Sequence, residues 1–151
     1  MNESDKKLLD KAINFQKEDD EHRAIEILFN LLSKYPNNKS INGLLGSIYS
    51  NLEYYDLAKN YLENAVKYNS NYELFHLSLY ITYFELDRHE DAFKVLFNYL
   101  EKNNAYLFKD TLEELLNGLI DKYGEDNKNK IIYYSIKNNI KIPPELIDKG
   151  N

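Results

Sequence analysis

Three histidines, His22, His76 and His89, are the only side chains in this sequence whose unperturbed proton affinity lies near neutrality. They stand at no metal-ligating spacing, and His22 and His89 both fall in polar turns, so surface or packing roles and no bound metal are expected. Cysteine is absent, which removes disulfides, thiolate metal sites and a thiol nucleophile. Gly46-Ser47, within LLGSIY, lacks the preceding strand and second glycine of a nucleophile elbow, and packing is the better explanation for the glycine. The acidic run Glu18 to Glu21 has neither the alternating oxygen ligands nor the central glycine of a calcium loop, and reads as a solvated turn. No dinucleotide fingerprint, phosphate-binding loop or zinc-protease motif occurs. The expectation is a noncatalytic protein without a cofactor.

Recognition of a macromolecule is the remaining chemistry. Lys122, Lys128, Lys130, Lys137 and Lys141, interleaved with Tyr123, Tyr133 and Tyr134, could suggest nucleic acid. Asp121, Glu125 and Asp126 dilute that patch, and a formal net charge of −6 opposes phosphate binding. No nucleic acid is expected, and these lysines read as the solvated face of a cap. The longest apolar run, Leu74 to Phe84, is shorter than the roughly 20 residues of a membrane-spanning helix and is interrupted by His76 and Ser78, so no membrane span is expected. The opening MNESDKKLLDKAINFQKEDD carries charges where a signal peptide would be apolar; a cytoplasmic location is the default. Abundant Asn, Ile and Tyr, with arginine only at Arg23 and Arg88, match an AT-rich, bacterial coding bias.

The elements that would position any site are helices. Apolar residues recur at three- and four-residue steps in KKLLDKAINF, AIEILFNLLSKY, INGLLGSIY, LAKNYLENAVKY and AFKVLFNYL, separated by short polar breaks. Ala24, Ala58 and Ala92 fall at intervals of 34, each followed four residues later by Leu28, Leu62 or Leu96 and preceded by nine by Phe15, Tyr49 or Tyr83. Two helices of an antiparallel pair approach closely only where a small residue sits at the crossing, with larger side chains beside it.

With these residues the chain resembles the tetratricopeptide repeat family. Leu45, Gly46, Tyr49, Ala58, Leu62 and Ala65 carry the likeness in a middle repeat of about 39–72. A third repeat, about 73–106, has Leu79, Tyr83, Ala92 and Leu96 but departs at Tyr80 and Tyr99; a first, about 5–38, has Ala12, Phe15, Ala24, Leu28 and Pro36 but departs at Lys11. Residues 107–140 read as a divergent pair of capping helices broken at Gly124, and 141–151 as a tail. The implied fold is all-α: one domain over 1–151, a helical-hairpin solenoid of about three repeats plus a divergent C-terminal pair.

In this family the first helix of each pair lines a groove. The resemblance then places Leu9, Ile13 and Gln16 in the groove from repeat one, Ser40, Gly43, Ser47 and Ser50 from repeat two, and Leu74, Leu77, Ile81 and Phe84 from repeat three. Positions that hold Lys, Arg and Asn in members clamping acidic chaperone tails are here Leu9, Ile13, Leu44, Leu74 and Ser78, so an apolar groove is implied. It is open to a protein or peptide, neutral or basic, unless the C-terminal helices fold back over it. The readings that follow are a protein-interaction module acting as a secretion chaperone, an immunity or antitoxin-like protein that masks a toxin, and, third, a small enzyme or nucleic-acid protein on a helical scaffold. Self-association stays open.

Overall fold

A computed structural model describes residues 1–67 and 70–147; the end of the middle repeat at 68–69 and the tail from 148 lie outside the described residues. Among the described residues the chain is all helical, without a strand. The helices are α1 (Glu3–Lys17), α2 (Glu21–Lys34), α3 (Lys39–Asn51), α4 (Tyr55–Val66), α5 (Glu73–Glu85), α6 (His89–Lys102), α7 (Phe108–Glu114), α8 (Glu125–Lys137) and α9 (Pro144–Ile147). A π-helical turn, Leu115–Leu119, extends α7. α1 pairs with α2, α3 with α4 and α5 with α6, and each hairpin packs on the next, so the fold is a helical-hairpin solenoid closed by the divergent pair α7 and α8.

The three alanines and the three leucines that follow them are all fully buried. The turn inside each hairpin repeats as faithfully. Asp19, Glu53 and Asp87, again 34 apart in the sequence, adopt left-handed φ values of 58°, 65° and 58°. The next N–H, from Asp20, Tyr54 or Arg88, donates to the carbonyl of Phe15, Tyr49 or Tyr83 at 2.8 Å each time. This is a Schellman closure, and the donor residue caps the start of the second helix, so one left-handed residue reverses the chain. The aromatic of the 34-residue series is thus also the carbonyl on which the turn closes.

The third hairpin departs from the family pattern for a visible reason. Tyr80 and Tyr99, standing where small residues are usual, face the fully buried Phe108 at ring distances of 6.0 and 5.6 Å. Glu73 of α5 accepts hydrogen bonds from the N–H groups of Tyr106 and Phe108, both at 2.9 Å, and so caps α7, which has no side-chain cap of its own. Asn138, at the end of α8, accepts from the Ala105 N–H at 2.7 Å. Rings replace the missing alanine crossing: Phe97 stacks on Phe93 and on Tyr134, and Tyr123 meets both Phe84 and Phe93 edge-on. Gly124, where the sequence breaks the pair, adopts φ 91° and ψ 158° before α8, a region that is essentially glycine's alone.

Of the lysines expected on a solvated face, Lys122, Lys130, Lys137 and Lys141 are exposed and Lys128 departs. Lys128 is buried and donates to Asp121 at 2.6 Å, and Lys137 donates to the Leu100 carbonyl at the end of α6 at 3.2 Å. Lys130 and Lys122 lie over the rings of Phe97 and Tyr123. Lys130 and Lys137 thus reach the third hairpin, while Lys128 and Lys122 make their contacts within the C-terminal pair. At the other end of the stack Asp5, legible in the sequence only as one more helix-surface acid, is buried and accepts from Tyr35 Oη at 2.8 Å and Lys34 Nζ at 3.0 Å. The Tyr35 hydrogen bond, with Lys34 beside it, holds the Asp5 carboxyl below its ordinary range.

Candidate functional site

The first helices of successive hairpins line one side of the stack, and two depressions open there. The larger, about 720 Å³, lies across α1, α3 and α5. Ile13, Leu44, Leu74 and Phe75 supply its apolar walls, Ser40, Ser47 and Ser78 its small floor, and Gln16, Asn51, Lys17 and Lys39 its polar rim. The second, about 410 Å³, lies between α5 and α7 and is lined by Leu77, Tyr80, Ile81 and Phe84 on one side and by Leu107, Asp110, Thr111, Glu114 and Leu115 on the other, with Glu85 at its end.

The residues expected in one groove, Leu9 apart, are divided among three places. Ile13, Gln16, Ser40, Ser47 and Leu74 come together in the first depression, while Leu77, Ile81 and Phe84 come together in the second. Gly43 and Ser50 are buried between α3 and α5: a Cβ on Gly43 would meet the Phe75 ring at 2.3 Å, and Ser50 Oγ accepts from Thr82 at 3.1 Å. Ser47 Oγ is 3.1 Å from Ser78 Oγ in the same seam. Small residues therefore let α3 and α5 approach closely, and the groove-lining face of α3 consists of Ser40, Leu44, Ser47 and Asn51. Leu9 is half-buried against the core. Leu44 and Asn51 border the depression beside Ser40 and Ser47, while the neighbouring small residues Gly43 and Ser50 are taken up in the contact with Phe75 and Thr82.

Phe84 is only half open. Its ring lies 4.5 Å from His89, 5.5 Å from Tyr123 and 5.6 Å from Tyr80. Ile81, by contrast, retains 40% of its surface. The C-terminal pair thus covers one edge of the apolar stripe, and α7 and α5 meet chiefly through Glu73 and through Tyr80 on Phe108. Burial pushes the Tyr80 hydroxyl well above its ordinary proton affinity and leaves it a neutral donor.

None of the histidines joins a cluster with chemistry. His22 is exposed; His76, on the opposite side of the hairpin, sits 2.6 Å from the Ser70 carbonyl and against Tyr99, and burial lowers its proton affinity. His89 packs on Phe84 and Tyr123. Among the described residues no group of three or more His, Cys, Asp or Glu could hold a metal ion, and no helix is long and apolar enough to cross a membrane.

Residues 40–72, which carry α3, α4 and the turn between them, match the family model for the tetratricopeptide repeat. The chain contains a tetratricopeptide repeat. No curated protein and no solved structure matches it. Tetratricopeptide repeats are protein–protein interaction modules, and the flanking hairpins α1–α2 and α5–α6 extend the repeat with the same turn, the same alanine crossing and the same aromatic. Both depressions border the matched repeat or the hairpin after it.

Proposed function

We propose that this protein is a noncatalytic interaction module that receives a segment of another protein along the face made by α1, α3, α5 and α7. The observation carrying this reading is the first depression: an apolar cleft of about 720 Å³, walled by Ile13, Leu44, Leu74 and Phe75, beside a stripe that keeps Ile81 exposed. Each Leu- or Phe-sized anchor buried there gains roughly 1.5–3 kcal/mol before association costs. An extended strand or an amphipathic helix fits such a cleft. Holding a translocated protein as a secretion chaperone and masking a toxin as an immunity protein both use this mode. The acid-lined second depression favours masking, because a basic surface would be neutralised there.

Photo-crosslinking residues placed at Ser40 and Ile81, and at Phe29 and Lys59 away from this face, provide the test in cells of the source. The proposal expects one protein to crosslink from Ser40 and Ile81 and not from Phe29 or Lys59. Crosslinks confined to Phe29 and Lys59 would overturn it.

A further inference from the structure

We infer, resting on that reading, that the occupant of the face between α5 and α7 is a cationic amphipathic segment of a partner protein, one carrying Lys or Arg beside bulky apolar side chains. The second depression has an apolar floor at Leu77, Ile81 and Leu107 and three carboxylates around it, Glu85, Asp110 and Glu114. No Lys, Arg or His lines it. Among the described residues none of the three carboxylates has a hydrogen-bond or ion-pair partner, whereas Asp91, Asp121 and Asp126 of the same half pair with Arg88, Lys128 and Lys130. Asp110 and Glu114 also border a shallower hollow on the outer side of α7, where Glu113 adds a fourth carboxylate and again no basic residue appears.

The first depression has the reverse polarity. Its rim carries Lys17 and Lys39 and no Asp or Glu lines it. The face is therefore apolar along its length, basic at one end and acidic at the other. A segment whose cationic end lies over α7 satisfies the acids there, and the opposite orientation sets its cations against Lys17, where no acid lines the depression. Charge fixes the direction and apolar anchors supply the contact area. Nucleic acid and anionic membrane are repelled by the same three carboxylates.

Fluorescence anisotropy on the full chain tests this with a labelled helical peptide of leucine and lysine, its leucine and glutamate counterpart, and a counterpart with serine for leucine. The leucine–lysine peptide should bind best, should weaken roughly tenfold or more with Glu85→Lys plus Glu114→Lys, each reversal exchanging an attraction for a repulsion at short range, and should weaken as salt is raised. Ile81→Ser should weaken it as well. Reversal of two exposed acids on the second helices of their hairpins, Glu26→Lys on α2 plus Glu101→Lys on α6, should not. Circular dichroism confirms that each variant is folded. Equal binding of the leucine–glutamate peptide, lost with Ile81→Ser, overturns the cationic preference and leaves the groove reading standing. Loss of binding as large with Glu26→Lys plus Glu101→Lys shows only diffuse attraction to an acidic protein and overturns the assignment of the site. Binding that is indifferent to both Ile81→Ser and the Glu85, Glu114 reversals overturns this inference and the groove reading together.

Discussion

Replacing Gly46 with alanine probes the closest helix approach in the matched repeat. A Cβ at Gly46 would lie 2.4 Å from Leu62 Cγ, 2.8 Å from its Cδ2 and 3.1 Å from its backbone nitrogen. Leu62 is fully buried, so its branch point has no space to swing into, and α3 and α4 must part by roughly 1 Å to restore van der Waals contact. Overpacking of this kind costs about 1–3 kcal/mol. Alanine recovers about 0.5–1 kcal/mol of that, because glycine is the poorer helix former. Since a branch carbon and the backbone both obstruct, the net loss should be roughly 1–2 kcal/mol. Gly118 is the internal control: nothing lies within 4 Å of its Cβ position, so Gly118→Ala should keep the backbone gain of about 0.5–1 kcal/mol. Urea denaturation separates the two variants, and amide exchange places the loss, which should appear as lowered protection in α3 and α4. A Gly46→Ala midpoint at or above wild type would refute the argument from close approach.

Phe84→Ala should cost about 2–3 kcal/mol, below the range for fully buried aromatics because the ring is half open, whereas Ile81→Ser should cost under about 0.5–1 kcal/mol; equal losses in thermal melts would show that the stripe is wholly core. Glu53→Gly should stabilise by up to about 1 kcal/mol, as the strain of a left-handed non-glycine residue, roughly 1–2 kcal/mol, exceeds the added freedom of glycine in the unfolded chain; a destabilised variant in urea would show that Glu53 makes contacts that outweigh its backbone. The Asp5 carboxyl is held below its ordinary range in the fold, so its contribution is present above the unfolded value and is lost as pH falls through the folded one. Asp5→Asn should therefore flatten the acid limb of the stability profile, and an unchanged limb in melts across acidic pH would reject the Asp5, Lys34 and Tyr35 cluster as its source.

What the sequence displays is periodic, and what it hides is singular. The alanine and aromatic series at 34-residue spacing mark the hairpins because every repeat must solve one steric problem at one crossing. The left-handed turns recur at the same spacing but are filled by Asp19, Glu53 and Asp87, so glycine, the usual sign of such a turn, never appears. The resemblance places Gly43 and Ser50 in the groove, and they lie in the seam instead because Phe75 and Thr82 of α5 close on them, a contact that α3 alone does not display. Lys128 looks like any helix-surface lysine until Asp121, seven residues earlier, is brought against it by the turn at Gly124. Such pairings depend on tertiary contacts that no local pattern carries.

The divergence of the last hairpin and the second depression have a common cause. Between α3 and α5 the facing residues are Gly43, Ser47 and Ser50 against Phe75, Ser78 and Thr82, small enough for close approach and joined by hydroxyl hydrogen bonds. Between α5 and α7 they are Leu77, Tyr80, Ile81 and Phe84 against Asp110, Thr111 and Glu114. Bulky rings hold these helices apart, and closing the gap would bury carboxylates that have no partner, at a cost of several kcal/mol per ion. Along this seam the fourth hairpin therefore meets α5 at the two ends, through Phe108 on Tyr80 and the Glu73 carboxylate at one and through Tyr123 on Phe84 at the other, and the length between them stays open. A further repeat of the same type could not fill it without leaving those acids unpaired. A segment that brings its own cations can.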